Sequence, residues 1–297
     1  MASSLFTDLN GQPIHDSQVL GYGRTGVVVR RGSSAVKIPL RHPWSTESDV
    51  QSNMEIIMRE QGVYSRFNSF PKDQTDGIVP CLGLQVNATE LAHMENGDLR
   101  TYLEKNQPSR ELQMRWFRQM AQALEQVHAK CVIVADIATR NFLLDSELSV
   151  KICDFSEASL LPLDTDMETV DNDGFSIQTD IGQLGAVMYE VITQQKCDFD
   201  RFEDGIPMDG RAIWPRRTSL PSTEGLWLGE IVEKCWVEGG FRNAHALLHA
   251  LRSADREDST LKVSIRSYTN AAKKPMVMLS VVFGVLIIIS AWIRNRS

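Results

Sequence analysis

The sequence predicts an α+β fold in which a small β-rich lobe precedes a larger helical lobe, with a membrane-spanning helix at the C-terminal end. Three observations carry this. Short β-branched runs, set among glycines and turn residues, occupy the first third of the chain, and stretches of helical periodicity follow them. Residues 276–293, MVMLSVVFGVLIIISAWI, hold no charged side chain. As a helix that run covers about 27 Å, close to the ~30 Å hydrocarbon core of a bilayer.

In chain order, residues 1–17 are a polar lead-in. Residues 19–38 read as strands around Gly21, Gly23 and Gly26, with Val27-Val28-Val29 and Ala35-Val36-Lys37-Ile38 joined by the turn Arg31-Gly32-Ser33-Ser34. Residues 41–49 read as a loop. In residues 52–67 the apolar side chains Ile56, Ile57, Val63, Tyr64 and Phe67 recur at helical spacing, and Glu60 falls on their stripe. Glu55, five positions earlier, points about 140° away. A carboxylate on a buried face needs a cation, and Lys37 is the candidate.

Residues 81–91 read as two short strands, and Glu95-Asn96-Gly97-Asp98 breaks the chain before a helix from Leu99. Residues 110–130 form an amphipathic helix with Met114, Phe117, Met120, Leu124 and Val127 on one face. Val132-Ile133-Val134 reads as a strand, and Leu143-Leu144 with residues 150–152 as a small hairpin. Helices are expected at 180–193, 226–236 and 244–251. These boundaries give a main domain at 18–252, a polar juxtamembrane linker at 253–275 and the span at 276–293.

The chain has 297 residues, 42% of them hydrophobic, and a formal charge of -7. No basic block recurs through its body, which argues against a nucleic-acid binder. The five cysteines, at 81, 131, 153, 197 and 235, lack metal-ligand spacing and read as reduced, mostly buried thiols. The N-terminus lacks the basic and apolar regions of a secretory signal. Residues 276–293 are apolar all round, unlike the face of a core helix, and only Arg294 to Ser297 follow. The expectation is a single-pass tail anchor, with the preceding domain in the cytosol. Basic residues on both sides, Lys273 and Lys274 before and Arg294 after, leave its orientation open, and the endoplasmic reticulum and mitochondrial outer membrane fit equally.

The chemistry concentrates in the run Asp136-Ile137-Ala138-Thr139-Arg140-Asn141 and in Asp154-Phe155-Ser156, thirteen residues beyond Asn141. Two carboxylates and an amide at that spacing can hold a proton-accepting base and a divalent metal around one triphosphate. Upstream, Gly21, Gly23 and Gly26 free backbone amides to approach phosphate oxygens. Lys37 follows Gly26 by eleven residues.

The set, in this order, resembles the eukaryotic protein kinase family over roughly residues 21–251. The resemblance implies a bilobal protein-kinase-like fold and binding of ATP and Mg²⁺. It makes Lys37 the phosphate-binding lysine, fixed by Glu60. Val28, Ala35 and Leu143 would sandwich the adenine, Leu91 would be the gatekeeper and Met94 would supply hinge contacts. Asp136 would be the catalytic base, and Asn141 and Asp154 the magnesium ligands. Phe155 would pack beneath the helix bearing Glu60. Asp180 matches the family's buried aspartate that braces the catalytic loop, although a simple helix cap accounts for it as well. Cys153, next to the metal-binding position, reads as a buried inert thiol, with a modifiable thiol as the alternative.

The chain also departs from the family. Val134-Ala135 stand where most kinases have His-Arg, so the usual clamp for a phosphorylated activation loop is missing. Ser156 replaces the glycine after Asp-Phe. Asp180 follows Asp154 by only 26 residues, and no Ala-Pro-Glu occurs, so the peptide platform is short. Ala138 and Arg140, together with Leu220-Pro221 and Lys234-Cys235-Trp236, resemble the tyrosine-kinase or tyrosine-kinase-like pattern. Small single-domain kinases of filamentous fungi are similar in the Asp-Phe-Ser variant and the short activation segment.

The expectation is an ATP- and Mg²⁺-dependent protein kinase anchored to a membrane, with serine/threonine favoured over tyrosine on prevalence. The alternative is a membrane-tethered pseudokinase that binds nucleotide or a partner, and a small-molecule kinase on the same fold is a third reading. Protein substrate and oligomeric state are not specified by the sequence.

Overall fold

The β-branched run Val27-Val28-Val29 and the segment Ala35-Val36-Lys37-Ile38 pair as antiparallel strands, with Val28 opposite Lys37 and Val29 opposite Val36. Gly32, at φ 60°, takes the left-handed conformation that the tight turn between them demands. The computed structural model in which this is seen describes residues 4–256 apart from 204, 206 and 207.

Among these residues, β1 (Val19–Tyr22), β2 (Gly26–Arg31), β3 (Ser34–Pro39), β4 (Cys81–Gln85) and β5 (Ala88–Ala92) form one antiparallel sheet in the order β1-β2-β3-β5-β4. Strand alternation divides its faces. Val27, Val29, Val36 and Ile38 enter one core with Phe6 and Ile14, while Val28, Ala35 and Lys37 line a cleft. The polar lead-in is therefore part of this lobe, since two of its few apolar residues are buried in the sheet.

Helix α1 (Glu47–Asn68) lies against β3, β4 and β5. It starts earlier than residue 52, inside the stretch expected as loop. Thr46 and Asp49 form a reciprocal capping box that satisfies the first free amides. Ile57, Glu60, Val63, Tyr64 and Phe67 form its buried stripe, and Glu55 is exposed, as the spacing predicts.

The helical lobe contains α2 (Leu99–Leu103), α3 (Arg110–His128), α4 (Ile177–Thr193) and α5 (Gly229–Cys235), and residues 244–251 are also helical. The apolar face of α3 carries Trp116, Phe117, Met120 and Leu124, all buried. Helix α4 begins at Ile177, three residues before the expected start, because Ser176 and Thr179 make a second capping box. Between α3 and α4 run β6 (Val132–Ile133), the hairpin β7 (Phe142–Leu144) and β8 (Val150–Ile152), and β9 (Ser159–Leu160). The pairing of β9 with β6 was not expected from the sequence.

The chain divides into a unit Met1–Leu251 and a second unit Arg252–Ser297. Among the described residues no helix is long and apolar enough to cross a membrane. The expected span at 276–293 and most of the linker before it lie outside the described residues.

Candidate active site

Lys37, on β3, and Glu60, on α1, meet at the back of a cleft of about 1130 Å³ lined by both lobes. Lys37 Nζ lies 2.8 Å from Glu60 Oε2 and 2.7 Å from Asp154 Oδ1. Glu60 is fully buried, and Lys37 nearly so. Burial works against the Lys37 charge, but Glu60 and Asp154 overcome it and hold the ammonium above its ordinary range. Glu60 responds mainly to burial, which pushes its carboxyl up against the pull of Lys37. Its other oxygen accepts the Phe155 backbone N–H at 3.0 Å. The Lys37–Glu60 contact is a buried ion pair whose pull on the Glu60 carboxyl is chiefly Coulombic.

Asp154 takes a left-handed backbone, φ 62°, a strained position for a residue with a Cβ. Burial tends to raise its carboxyl pKa, yet Lys37 and the Ser156 hydroxyl and amide bring it below the ordinary value. Ser156 Oγ donates to Asp154 Oδ1 at 2.8 Å. The serine thus has a role that the sequence alone did not signal, since it helps orient the acid it follows. Phe155 is buried edge-on against Tyr64 and Phe67 of α1, with centroids 5.4 and 5.1 Å away. It packs on the helix bearing Glu60, as the resemblance implies.

Asp136 stands at the floor of the cleft. Arg140 Nη2 donates to both its carboxylate oxygens at 2.6 Å. Asn141 Nδ2 donates to Asp136 Oδ2 at 3.0 Å and to its carbonyl at 2.9 Å. The backbone beneath is fixed by Asp180 of α4, whose Oδ2 and Oδ1 accept the N–H groups of Val134 and Ala135 at 2.9 Å each. His128 Nε2 is also 2.9 Å from Asp180 Oδ2. The cap of α4 is Ser176, which settles Asp180 as the brace of this loop. Ala135, at φ 63°, takes a left-handed turn that the brace sustains. His128 was missed in the sequence because its position on the inner face of α3 looks like an ordinary helical one.

Gly21, Gly23 and Gly26 line the cleft mouth with Val28 and Ala35. A Cβ at Gly21 or Gly23 would meet open space, while at Gly26 it would lie 3.0 Å from Lys37 Cε. The first two glycines therefore leave room for a ligand, and the third leaves room for the lysine stem. Leu91, Met94 and Leu143 complete the apolar wall. All the sequence-derived site residues converge on this one cleft.

The donor set fits a magnesium nucleotide. Asn141 uses its NH₂ on Asp136, leaving the carbonyl oxygen for a metal, and Asp154 Oδ2 is the oxygen that Lys37 and Ser156 do not engage. Both are hard oxygen ligands, and Mg²⁺ is ordinarily held by one or two such groups together with substrate phosphates. Among the described residues no cluster of three or more His, Cys, Asp or Glu offers a metal site of its own.

Cys153, beside this set, is buried, with its Sγ against the Asn141 carbonyl at 3.4 Å. Burial pushes its thiol far up, and Asp154 adds to the effect. The geometry is that of an inert thiol. Cys131, Cys197 and Cys235 are buried as expected, and Cys81 is half-buried.

Comparison with known proteins agrees with this geometry. Residues 17–239 match the model of the protein tyrosine and serine/threonine kinase family. The chain is 29% identical to rat tyrosine-protein kinase JAK3 over 184 residues, covering 49% of this chain and 16% of that protein. It is 32% identical over 152 residues to a probable serine/threonine-protein kinase of Dictyostelium discoideum, covering 45% and 30%. It is 25% identical over 179 residues to the serine/threonine/tyrosine-protein kinase HT1 of Arabidopsis thaliana, covering 54% and 45%. The chain thus matches less than half the length of each of these relatives. With its braced catalytic loop, its lysine–glutamate pair and this match across most of its length, the chain belongs to the protein tyrosine and serine/threonine kinase family.

Proposed function

We propose that this chain transfers the γ-phosphate of ATP to a protein hydroxyl, with Mg²⁺ as the metal, and that residues 276–293 tether it to a membrane with the kinase domain in the cytosol. The observation that carries the catalytic reading is Lys37 bridging Glu60 and Asp154 in the cleft that also presents Asp136. Lys37 would bind the α- and β-phosphates, with Glu60 keeping its ammonium in place. Asn141 and Asp154 would hold Mg²⁺, which supplies charge neutralisation at the β- and γ-phosphates. Asp136 would accept or orient the acceptor hydroxyl's proton, work typically worth about 10²–10⁴-fold. The Arg140 contacts fix the direction in which that carboxylate faces. Both acceptor classes appear among the relatives' names, and serine/threonine is the first class to test. The tether rests on the charge-free apolar run in the sequence.

The test incubates the full chain with labelled ATP, Mg²⁺ and a mixed protein acceptor, followed by phosphoamino acid analysis. Label on protein supports the reading and identifies the residue class. ATP-dependent thermal stabilisation without transfer would replace it with a nucleotide-binding pseudokinase or a kinase for a small molecule. Partition of the chain between membrane and soluble fractions, with and without residues 276–293, tests the tether.

A further inference from the structure

Arg201 touches both the catalytic loop and the end of the activation segment, beside the contacts that Asp180 and Gln183 of α4 make to the same loop. It lies in the stretch after α4, and its Nη1 donates to the carbonyl of Ala135, one residue before Asp136. Its guanidinium also stacks on Phe175, 4.7 Å from the ring centroid, at the end of the segment that begins with Asp154. Phe175 in turn meets Phe202 edge-on at 6.5 Å. The arm is anchored by the Ile213 N–H to the Arg201 carbonyl at 2.9 Å and by the Ala212 N–H to Asp173 O at 2.9 Å. A Cβ on Gly174 would strike the Ala212 carbonyl, so the two backbones are in close contact there.

This guanidinium is unusually committed. Its Nε is buried and finds no hydrogen-bond acceptor among the described residues, a cost that a freely placed surface arginine would avoid. Burial brings its pKa down, and Asp180, Asp136, Asp200 and Glu157 act in the opposite direction. These carboxylates come from the catalytic loop, from α4, from its own arm and from the activation segment. Arg201 therefore lies among carboxylates of four elements, and Ala135 supplies only a methyl group beside them.

The activation segment is also tied down by carboxylates. Glu168 accepts from Arg242 Nε at 2.6 Å and from Asn243 Nδ2 at 2.8 Å, and Asp171 pairs with Arg211. Such exposed pairs are individually weak. Both pairs lie between Asp154 and Phe175 and tie that stretch to Arg211 and to the residues before the last helix.

We propose that Arg201 is a positioning residue that takes the place of the arginine missing at Ala135, joining the catalytic loop to the end of the activation segment so that Asp136 is set without phosphorylation of that segment. The inference rests on the kinase reading for its catalytic consequence, while its structural consequence stands apart from activity.

The test compares full-chain wild type with Arg201→Ala and Arg201→Lys by amide hydrogen exchange without nucleotide. In Arg201→Ala, exchange at residues 131–137 and 171–176 rises about tenfold or more, while α3 keeps wild-type protection. Arg201→Lys recovers part of the protection, because it retains charge but not the planar stack. Unchanged exchange at both segments, or an equal rise in α3, overturns the proposal. Phosphatase treatment of wild type leaves the protection intact, and loss of protection on treatment also overturns it. In the transfer assay, Arg201→Ala lowers kcat about tenfold to hundredfold with KM for ATP unchanged. Wild-type kcat in that variant, or an effect confined to KM, contradicts the proposal. If wild type transfers nothing, the kinase reading fails and hydrogen exchange alone decides the role of Arg201.

Discussion

Arg140 holds both carboxylate oxygens of Asp136 with one nitrogen, at 2.6 Å to each, four residues along the same loop. The contact turns the Asp136 carboxylate partly toward its own loop, so in the proposed reaction the arginine influences how the acid meets an acceptor. Arg140→Ala is expected to lower kcat about tenfold while ATP affinity stays at the wild-type level. Arg140→Lys is expected to fall between the two, because a lysine can supply charge but not the fixed guanidinium plane. Steady-state kinetics with varied ATP and varied acceptor reads both quantities.

The buried Lys37–Glu60 pair makes a stability prediction. Lys37→Met leaves a fully buried carboxylate without its cation, and breaking such a pair costs about 3–5 kcal/mol. Replacing Glu60 by Gln in the same chain removes the uncompensated charge. Lys37→Met/Glu60→Gln should therefore unfold at a higher denaturant concentration than Lys37→Met alone. Urea midpoints of the four proteins in this cycle supply the check.

The same contacts set a pH dependence. Asp154 has a folded pKa below its ordinary 3.8, so its stabilising contribution is present above that value and disappears as pH falls through the lower folded one. Lys37 has a folded pKa above its ordinary 10.5, so its contribution is complete below 10.5 and disappears as pH rises through the higher folded one. The stability difference between wild type and Asp154→Asn should be steady near pH 7 and shrink below about pH 4. Urea unfolding from pH 3 to 8 measures it.

Much of this site was legible because its chemistry is written in short runs. Lys37 sits in a strand pattern, Glu60 on an apolar helical stripe, and Asp136, Asn141 and Asp154 within one stretch of chain. What escaped was settled by tertiary contact. Phe6 and Ile14 lie in a stretch that reads as a polar lead-in, and only the folded sheet gives them a core. The start of α1 at Glu47 depended on the Thr46 and Asp49 cap, hidden among loop-like residues. Arg201 reaches Ala135 across 66 residues of chain. No local periodicity marks an arginine whose partners are a distant carbonyl and a distant ring.

Cysteine chemistry offers an independent check on burial. Cys153 and Cys235 are buried with thiols pushed well above the ordinary range, so neither should react with a thiol-specific reagent in the native state. Cys81, half-buried, should label first, and the buried thiols should follow only when the chain unfolds. Mass spectrometry of labelled peptides across a urea series gives the order.

In the proposed reaction Asp136 acts on the acceptor hydroxyl, in a nucleotide site built by other residues. The most direct test of this role measures ATP affinity by calorimetry and phosphate transfer on one preparation of Asp136→Asn beside wild type, both with Mg²⁺. Wild-type affinity for ATP within about twofold and transfer reduced by about 10²–10⁴-fold are expected. Undiminished transfer, or transfer lost only in step with ATP binding, would contradict that role.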